Sequence, residues 1–279
     1  MFGWERIFLG NGVNVKKLAF IGAGNMAEAL VKGIISGGIC TPENIVVTDV
    51  REEQLDYFRH TFKVNGEIDN KSAVDGADVV VLAVKPQLFE EVLPDLSGTE
   101  ALVISIAAGV PISRISDMLG PQARVVRVMP NTPSLLQCGA AGVSRGARAT
   151  DQDVSLTLRL MQSVGIAELV EEEQLHTVTA VSGSAPAYFF YLAEAMVKTA
   201  TDMGMDAELA TQFTARTMIG AGRMIKETGV EPDELRRRVT SKGGTTAEAI
   251  RVFDESGWGD IVTRAMQACD LRSRELAGD

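Results

Sequence analysis

Two short stretches of this chain hold residues whose types and spacing suit chemistry. The first is Gly22-Ala23-Gly24-Asn25-Met26-Ala27. Gly22 permits a tight turn, Gly24 lets backbone approach a pyrophosphate, and Ala27 replaces a third glycine where strand and helix pack closely. A helix opening there offers unpaired N–H groups and a positive dipole end to phosphates. The second is Thr240-Ser241-Lys242-Gly243-Gly244-Thr245-Thr246. Its two glycines let successive N–H groups converge on one point, a nest suited to a carboxylate. Thr245 and Glu248 fit the S/T-x-x-E capping box, which makes Thr245 the cap and leaves Thr246 at the first helical position with its hydroxyl uncommitted. A glycine-rich helix connection with good capping would use the same residues.

The flanking elements support the first reading. Residues 18–21 are wholly apolar, as in a strand buried on both faces of a parallel sheet. Met26, Leu30, Val31, Ile34 and Ile35 then recur at helical period, and 44–49 is a second β-branched run ending in Asp49. Asp49 lies about 22 residues beyond Ala27, close to the ~20 expected for the acid that meets an adenosine ribose. The pattern predicts a dinucleotide-binding βαβ unit. An acid here accepts hydrogen bonds from a ribose 2′-hydroxyl and repels a 2′-phosphate, while a nearby arginine does the opposite. This chain has both, Asp49 and Arg51. The reading favours NADPH, with NADH also usable.

A weak strand near 62–64 and a short helix near 72–74 lead to the strongest strand, 77–84. Lys85-Pro86 ends it, placing Ala83, Val84, Lys85 and Pro86 at the carboxyl edge of the sheet, where ligands of open α/β folds bind. The strand 101–106 leads into Ala107-Ala108-Gly109, where a nicotinamide or its ribose has bare backbone to lie against. The strand 125–128 leads into Met129-Pro130-Asn131-Thr132-Pro133, a loop stiffened by two prolines. Asn131 is either a polar contact or a turn former. Two more strands, 139–144 and 166–170, flank a helix over 151–163. Beyond 172 only helical patterns remain.

Composition bounds the rest. The 279 residues leave room for two domains, here 16–172 and 173–279 after an N-terminal extension, 1–15. The net charge of −10 argues against a nucleic-acid binder. No apolar run reaches the ~18 residues of a membrane span, and 1–15 lacks a signal-peptide pattern. Cys40, Cys138 and Cys269 form neither a disulfide framework nor a metal-spaced cluster, so no metal is expected and a reducing cytoplasm is the indicated home. With only His60 and His176 present, a His-centred mechanism is not expected. In 185–200 only Glu194 and Lys198 are charged, a favourable i, i+4 pair, and 207–225 is similarly rich in apolar residues. A helix apolar on most sides must be surrounded, so a second copy of the chain is expected around these two.

GAGNMA at 22–27, AVKP at 83–86, SIAAGV at 105–110, RVMPNTP at 127–133, VSGSAPAY at 181–188 and TSKGGTTAEAI at 240–250, taken together, resemble the pyrroline-5-carboxylate reductase family. The resemblance runs from about Lys17 to the C-terminus. It implies a Rossmann-type, doubly wound α/β sheet followed by an all-helical dimerisation domain. It also implies NADPH- or NADH-dependent reduction of the small molecule Δ1-pyrroline-5-carboxylate to L-proline. The homodimer would form through the helical domain, often within a larger ring of dimers. By position, Thr246 matches the threonine facing the substrate nitrogen, and Ser241, Gly243, Gly244 and Thr245 match the loop holding its carboxylate. Two departures stand out: Val50 where an arginine for the 2′-phosphate is common, and Lys242 where proline is common. Among rivals, NAD(P)-dependent β-hydroxyacid dehydrogenases carry a lysine on the first helix of the second domain. The only lysine there, Lys198, lies 15 residues beyond Gly183, too far to match. A non-catalytic NAD(P)-binding regulator would not need an intact TSKGGTT loop.

Overall fold

The computed structural model describes residues 15–278. Most of the expected extension lies outside the described residues, but Val15 is buried in the core and belongs to the fold. In chain order the first elements are β1 (Leu18–Ile21), α1 (Asn25–Ser36), β2 (Ile45–Thr48), α2 (Glu52–Phe62), β3 (Asn65–Glu67), α3 (Asn70–Val74) and β4 (Val79–Leu82). Then follow α4 (Phe89–Val92), β5 (Leu102–Ser105), α5 (Ile112–Leu119), β6 (Arg124–Met129), β7 (Gly139–Arg145), α6 (Asp151–Gln162) and β8 (Gly165–Leu169).

The strands form one sheet in the order β3-β2-β1-β4-β5-β6-β7-β8. Pairing is parallel from β3 to β6 and between β7 and β8, and antiparallel only between β6 and β7. Side chains alternate across each strand, and here both faces are covered. Leu18 and Phe20 enter one core with Leu30 of α1, while Ala19 and Ile21 enter the other with Phe89 of α4. That is why the strands read as unbroken apolar runs. The chain moves outward in one direction through β2 and β3 and in the other through β4 and β5. The switch point beside β1 opens a crevice at the carboxyl ends, where the glycine turn after β1 sits.

The chain divides into two compact units, one reaching Gly183 and including the segment from Asp270 onward, the other Ser184–Cys269. The expected change from strand to helix near 172 falls between β8 and α7 (Gln174–Val178), yet α7 and a π-helical turn, Thr179–Gly183, still belong to the first unit. His176 of α7 is buried and its Nδ1 bonds Ser273 Oγ at 2.9 Å, while Thr177 donates to Asp270 at 3.1 Å. These contacts tie the returning C-terminal segment to the first unit.

The second unit is helical: α8 (Ala185–Asp202), α9 (Ala207–Thr228), α10 (Pro232–Arg238), α11 (Thr245–Glu255) and most of α12 (Trp258–Ala277). Pro186 opens α8 where a missing N–H costs nothing. Asp206 caps α9 by accepting from the Leu209 N–H at 3.0 Å, and Gly229, with φ 63°, ends it. Two local expectations fail. The weak third strand lies at Asn65–Glu67 rather than 62–64, because α2 runs on through Phe62 and stops at Lys63 in a left-handed conformation. Lys198 pairs with Asp202 at 2.6 Å rather than with Glu194.

Candidate active site

Within the first unit, the turn after β1 is built to bring backbone close to a ligand. Gly22 has φ +101°, and a Cβ there would sit 2.8 Å from the Ala83 carbonyl oxygen and 2.9 Å from Val84 Cγ1. Only glycine fits both the conformation and the space. Its N–H donates to Thr48 O at 2.9 Å, and the Ala83 N–H donates to Ile21 O at 2.8 Å. The turn is thereby stitched to β2 on one side and to the end of β4 on the other. Gly24 is the N-cap of α1, and a Cβ added to it would meet nothing within 4 Å, so its face is open. Asn25 is exposed and Met26 half-buried in the first turn, where N–H groups lack intrahelical partners, while Ala27 is fully buried against the sheet. Turn, open glycine and helix N-terminus together fit a pyrophosphate.

Asp49 lies just beyond β2. Its Oδ2 accepts from the Ala23 N–H at 3.2 Å and from Arg51 Nη2 at 3.0 Å. Its Oδ1 accepts from the Arg51 N–H at 3.0 Å and Arg51 Nε at 2.9 Å. Partial burial pushes this carboxyl up, but the Arg51 guanidinium and the two backbone donors outweigh it and hold Asp49 below the usual carboxylate range. Val50 is 88% exposed and takes no part. Gln54, which sequence reasoning missed, donates to Ala23 O at 2.8 Å and braces the turn from α2. Nothing in the local pattern marks it, since the contact spans 31 positions.

The remaining sheet-edge residues differ in what they offer. Ala83 and Val84 are half-buried beside Gly22, Pro86 begins a short 3-10 turn, and the Lys85 side chain is exposed with no partner among the described residues. Ala107 is buried with its N–H facing Ser105 Oγ at 3.4 Å, and Ala108 is exposed. Gly109 has φ +71°, and a Cβ there would meet Leu276 Cβ at 2.9 Å. Asn131 is buried with both ends of its amide engaged, accepting from the Ala140 N–H at 2.9 Å and donating to Ser182 O at 3.1 Å. It braces the loop after β6 against β7 and the π-helical turn.

In the second unit, the Ser241–Thr246 loop departs from its expected form. Thr245 is not the N-cap. The cap is Gly244 (φ −84°, ψ 167°), whose carbonyl accepts from the Glu248 N–H at 3.3 Å, and no side chain caps α11. Glu248 turns instead to Arg251, at 3.0 Å. The extended residue that ends the loop is the second glycine, so Thr245 already has helical dihedrals. Thr245 and Thr246 therefore occupy the first two helical positions, and both hydroxyls lack partners among the described residues. The nest is also narrower than expected. Gly243, at φ +74°, turns the chain so that the Gly244 N–H donates to Ser241 O at 3.0 Å. The N–H groups of Thr245 and Thr246, at the first helical positions, have no intrahelical acceptor, and among the described residues those of Ser241, Lys242 and Gly243 make no backbone hydrogen bond either.

Comparisons with known proteins bear on both units. Residues 172–276 match the family model for pyrroline-5-carboxylate reductase dimerisation, and residues 17–109 match that for NADP oxidoreductase, coenzyme F420-dependent. A pyrroline-5-carboxylate reductase of Vibrio alginolyticus is 44% identical over 94% of this chain and 97% of its own. The chain belongs to the pyrroline-5-carboxylate reductase family. A relative from Methanosarcina acetivorans is 42% identical over 94% of this chain and 98% of its own. Among solved members of the family, that of Coxiella burnetii superposes with a TM-score of 0.88 at 39% identity, covering 95% of this chain and 99% of the other. The Plasmodium falciparum reductase, solved with NADP bound, gives 0.84 at 27% identity, covering 96% and 100%. Membership accounts for the pairing of a doubly wound sheet with a helical dimerisation domain.

Proposed function

We propose that this protein reduces Δ1-pyrroline-5-carboxylate to L-proline with NADPH or NADH. The observation that carries the reading beyond family membership is the start of α11. There the turn closed by Gly244 leaves the N–H groups and hydroxyls of Thr245 and Thr246, together with the Ser241 hydroxyl, without partners among the described residues. The substrate presents one carboxylate and one ring nitrogen, and this set can meet both. The Thr245 and Thr246 N–H groups, at the positive end of the helix dipole, receive the carboxylate. Ser241 supplies a further hydroxyl beside it. Thr246 donates to or accepts from the ring nitrogen and fixes the face the ring presents.

In the first unit Gly22, Gly24, Asn25, Met26 and Ala27 would hold the pyrophosphate. Asp49 and Arg51 would hold the adenosine ribose, and Ala83–Pro86 with Ala107–Gly109 would line the nicotinamide end. The reduced nicotinamide supplies the hydride when bound. A protonated cyclic imine is already electrophilic, so the protein's task is orientation rather than strong acid–base catalysis. Thr246, a neutral hydroxyl, accepts from the protonated ring nitrogen and orients it; hydride addition gives the neutral amine, and Thr246 is then placed to relay the solvent proton that the amine takes up. The helical unit completes itself in a homodimer, with a ring of dimers as the larger assembly, and the enzyme works in the cytoplasm. No helix among the described residues is long and apolar enough to cross a membrane. Purified protein mixed with pyrroline-5-carboxylate and NADPH or NADH should show substrate-dependent loss of the reduced-cofactor absorbance together with formation of proline. Absence of both would overturn the reading.

A further inference from the structure

We propose that the open cavity between α10 and α11 binds a small zwitterion of the α-amino acid class, its carboxylate on Arg236 and its ammonium on Asp254. The site shares no residue with the Ser241–Thr246 loop, and its test does not depend on the assigned reaction.

The cavity measures about 330 Å³ and is lined by Arg236, Arg237, Thr240, Ile250 and Asp254. That is the small end of the range for ligand sites, ~300–1,000 Å³. Both helices contribute one face. Arg236 and Thr240 are four positions apart, as are Ile250 and Asp254, and residues at that spacing lie one above the other. Thr240 continues the last turn of α10 by donating from Oγ1 to Arg236 O at 2.6 Å. Thr246 precedes Ile250 by four positions on the same face of α11, so the cavity begins about one turn, ~6 Å, from the residue assigned to the substrate nitrogen.

The charges decide what kind of molecule fits. On α10, Arg237 pairs with Asp233 at 3.3 Å and with Glu234 at 2.9 Å, and Arg238 pairs with Glu234 at 2.9 Å. On α11, Arg251 pairs with Glu248 at 3.0 Å and with Glu255 at 2.7 Å. Arg236 and Asp254 are the charged side chains of these two helices with no partner among the described residues. Both line the cavity. An arginine and an aspartate that share a cavity gain by closing into a forked pair, and these two stand apart. A ligand that is only an anion satisfies Arg236 and is repelled by Asp254; a ligand that is only a cation does the converse. An α-amino acid satisfies both at once, and Ile250 gives its side chain an apolar wall. Both charged residues are exposed, so salt screens the contacts and the affinity is modest.

The test is calorimetric titration of the full-length protein with L-valine at low salt. Saturable binding is expected. Isovalerate, which lacks the ammonium, and isobutylamine, which lacks the carboxylate, should each bind about tenfold more weakly or worse, having lost a charge-assisted hydrogen bond. Arg236→Gln and Asp254→Asn should each weaken L-valine by a similar factor, with the melting temperature and the turnover measured without valine unchanged. Arg236→Lys should recover part of the affinity, since lysine keeps the charge but not the fork. Thr246→Ala should bind L-valine as the wild type does. The inference fails if L-valine does not bind, if either fragment binds as tightly, or if either neutral variant retains wild-type affinity. It fails equally if Thr246→Ala loses binding, because valine would then occupy the substrate loop.

Discussion

In the sheet unit Phe20, Phe58, Phe89 and Leu30 are fully enclosed by the chain's own residues. In the helical unit Phe190 is 69% exposed and Phe213 58%, with Tyr191, Ile219 and Met224 also exposed. Both units draw on similar apolar side chains. The sheet unit covers them because helices lie against both faces of its strands. Helices α8 and α9 bury only Ala185, Ala210 and Thr214. A soluble protein rarely leaves so much apolar surface to water. Hence the first unit closes on itself, whereas the second leaves an apolar face that assembly would cover, in keeping with its match to a dimerisation family.

The sharpest way to break this contrast is to place a charge on each surface. Phe213→Asp in α9 should cost at least ~2 kcal/mol of association, as at an interface hot spot, and light scattering should show the mass falling toward that of one chain. Ile68→Asp, at a residue 64% exposed in the sheet unit, should leave the mass unchanged. Equal behaviour of the two variants would end the distinction.

Gly22→Ala tests the rigid side of the comparison. With φ +101° and the Ala83 carbonyl oxygen 2.8 Å from the new Cβ, it should lose about 1–3 kcal/mol of stability to backbone strain. KM for the dinucleotide should rise at least ~tenfold. An unchanged melting temperature would mean the turn is softer than its packing indicates.

The two threonines of α11 sharpen the other side. Thr246→Ala should lower kcat tenfold to hundredfold, corresponding to ~1.4–2.8 kcal/mol of transition-state interaction, without shifting the melting temperature. Thr245→Ala, which removes no cap, should cost less than ~0.5 kcal/mol, as for a typical surface substitution. A larger loss in thermal unfolding would show that Thr245 caps the helix in solution.

The smallest effect concerns the C-terminal return to the sheet unit. Hydrogen bonding from Arg274, opposed by slight burial and aided by Thr177, holds the Asp270 carboxyl below its ordinary value. A depressed folded pKa contributes stability that is complete above the unfolded value, near ~3.9, and is lost as pH falls through the folded value. Asp270→Asn should remove that acid dependence while costing no more than ~1 kcal/mol at neutral pH, as for exposed pairs. Denaturant melts at neutral and acid pH would check it.

Much of this architecture was legible in the chain. The apolar runs, the glycine turn and the acid at its spacing are local patterns, and each led to the observed strand, turn or helix. The ordered motifs pointed to the family, and the all-round apolar helices pointed to a partner. The third strand was misplaced because Phe62 fits either a strand or the last turn of α2, and only the left-handed Lys63 ends the helix there.

What the residues alone determined, then, is where the backbone must bend and which segments must be covered, because both depend on short-range sterics and hydrophobic period. Which polar groups meet was decided only by the tertiary structure. Thr-x-x-Glu at 245–248 permits a capping box, yet the loop delivers Gly244 to the cap and Glu248 to Arg251. Asp49 and Arg51 are two positions apart in the chain, but Asp49 also accepts from the Ala23 N–H across 26 positions. His176 finds Ser273 across 97. A hydrogen bond depends on tenths of an ångström between groups far apart in the chain, and no local pattern carries that information.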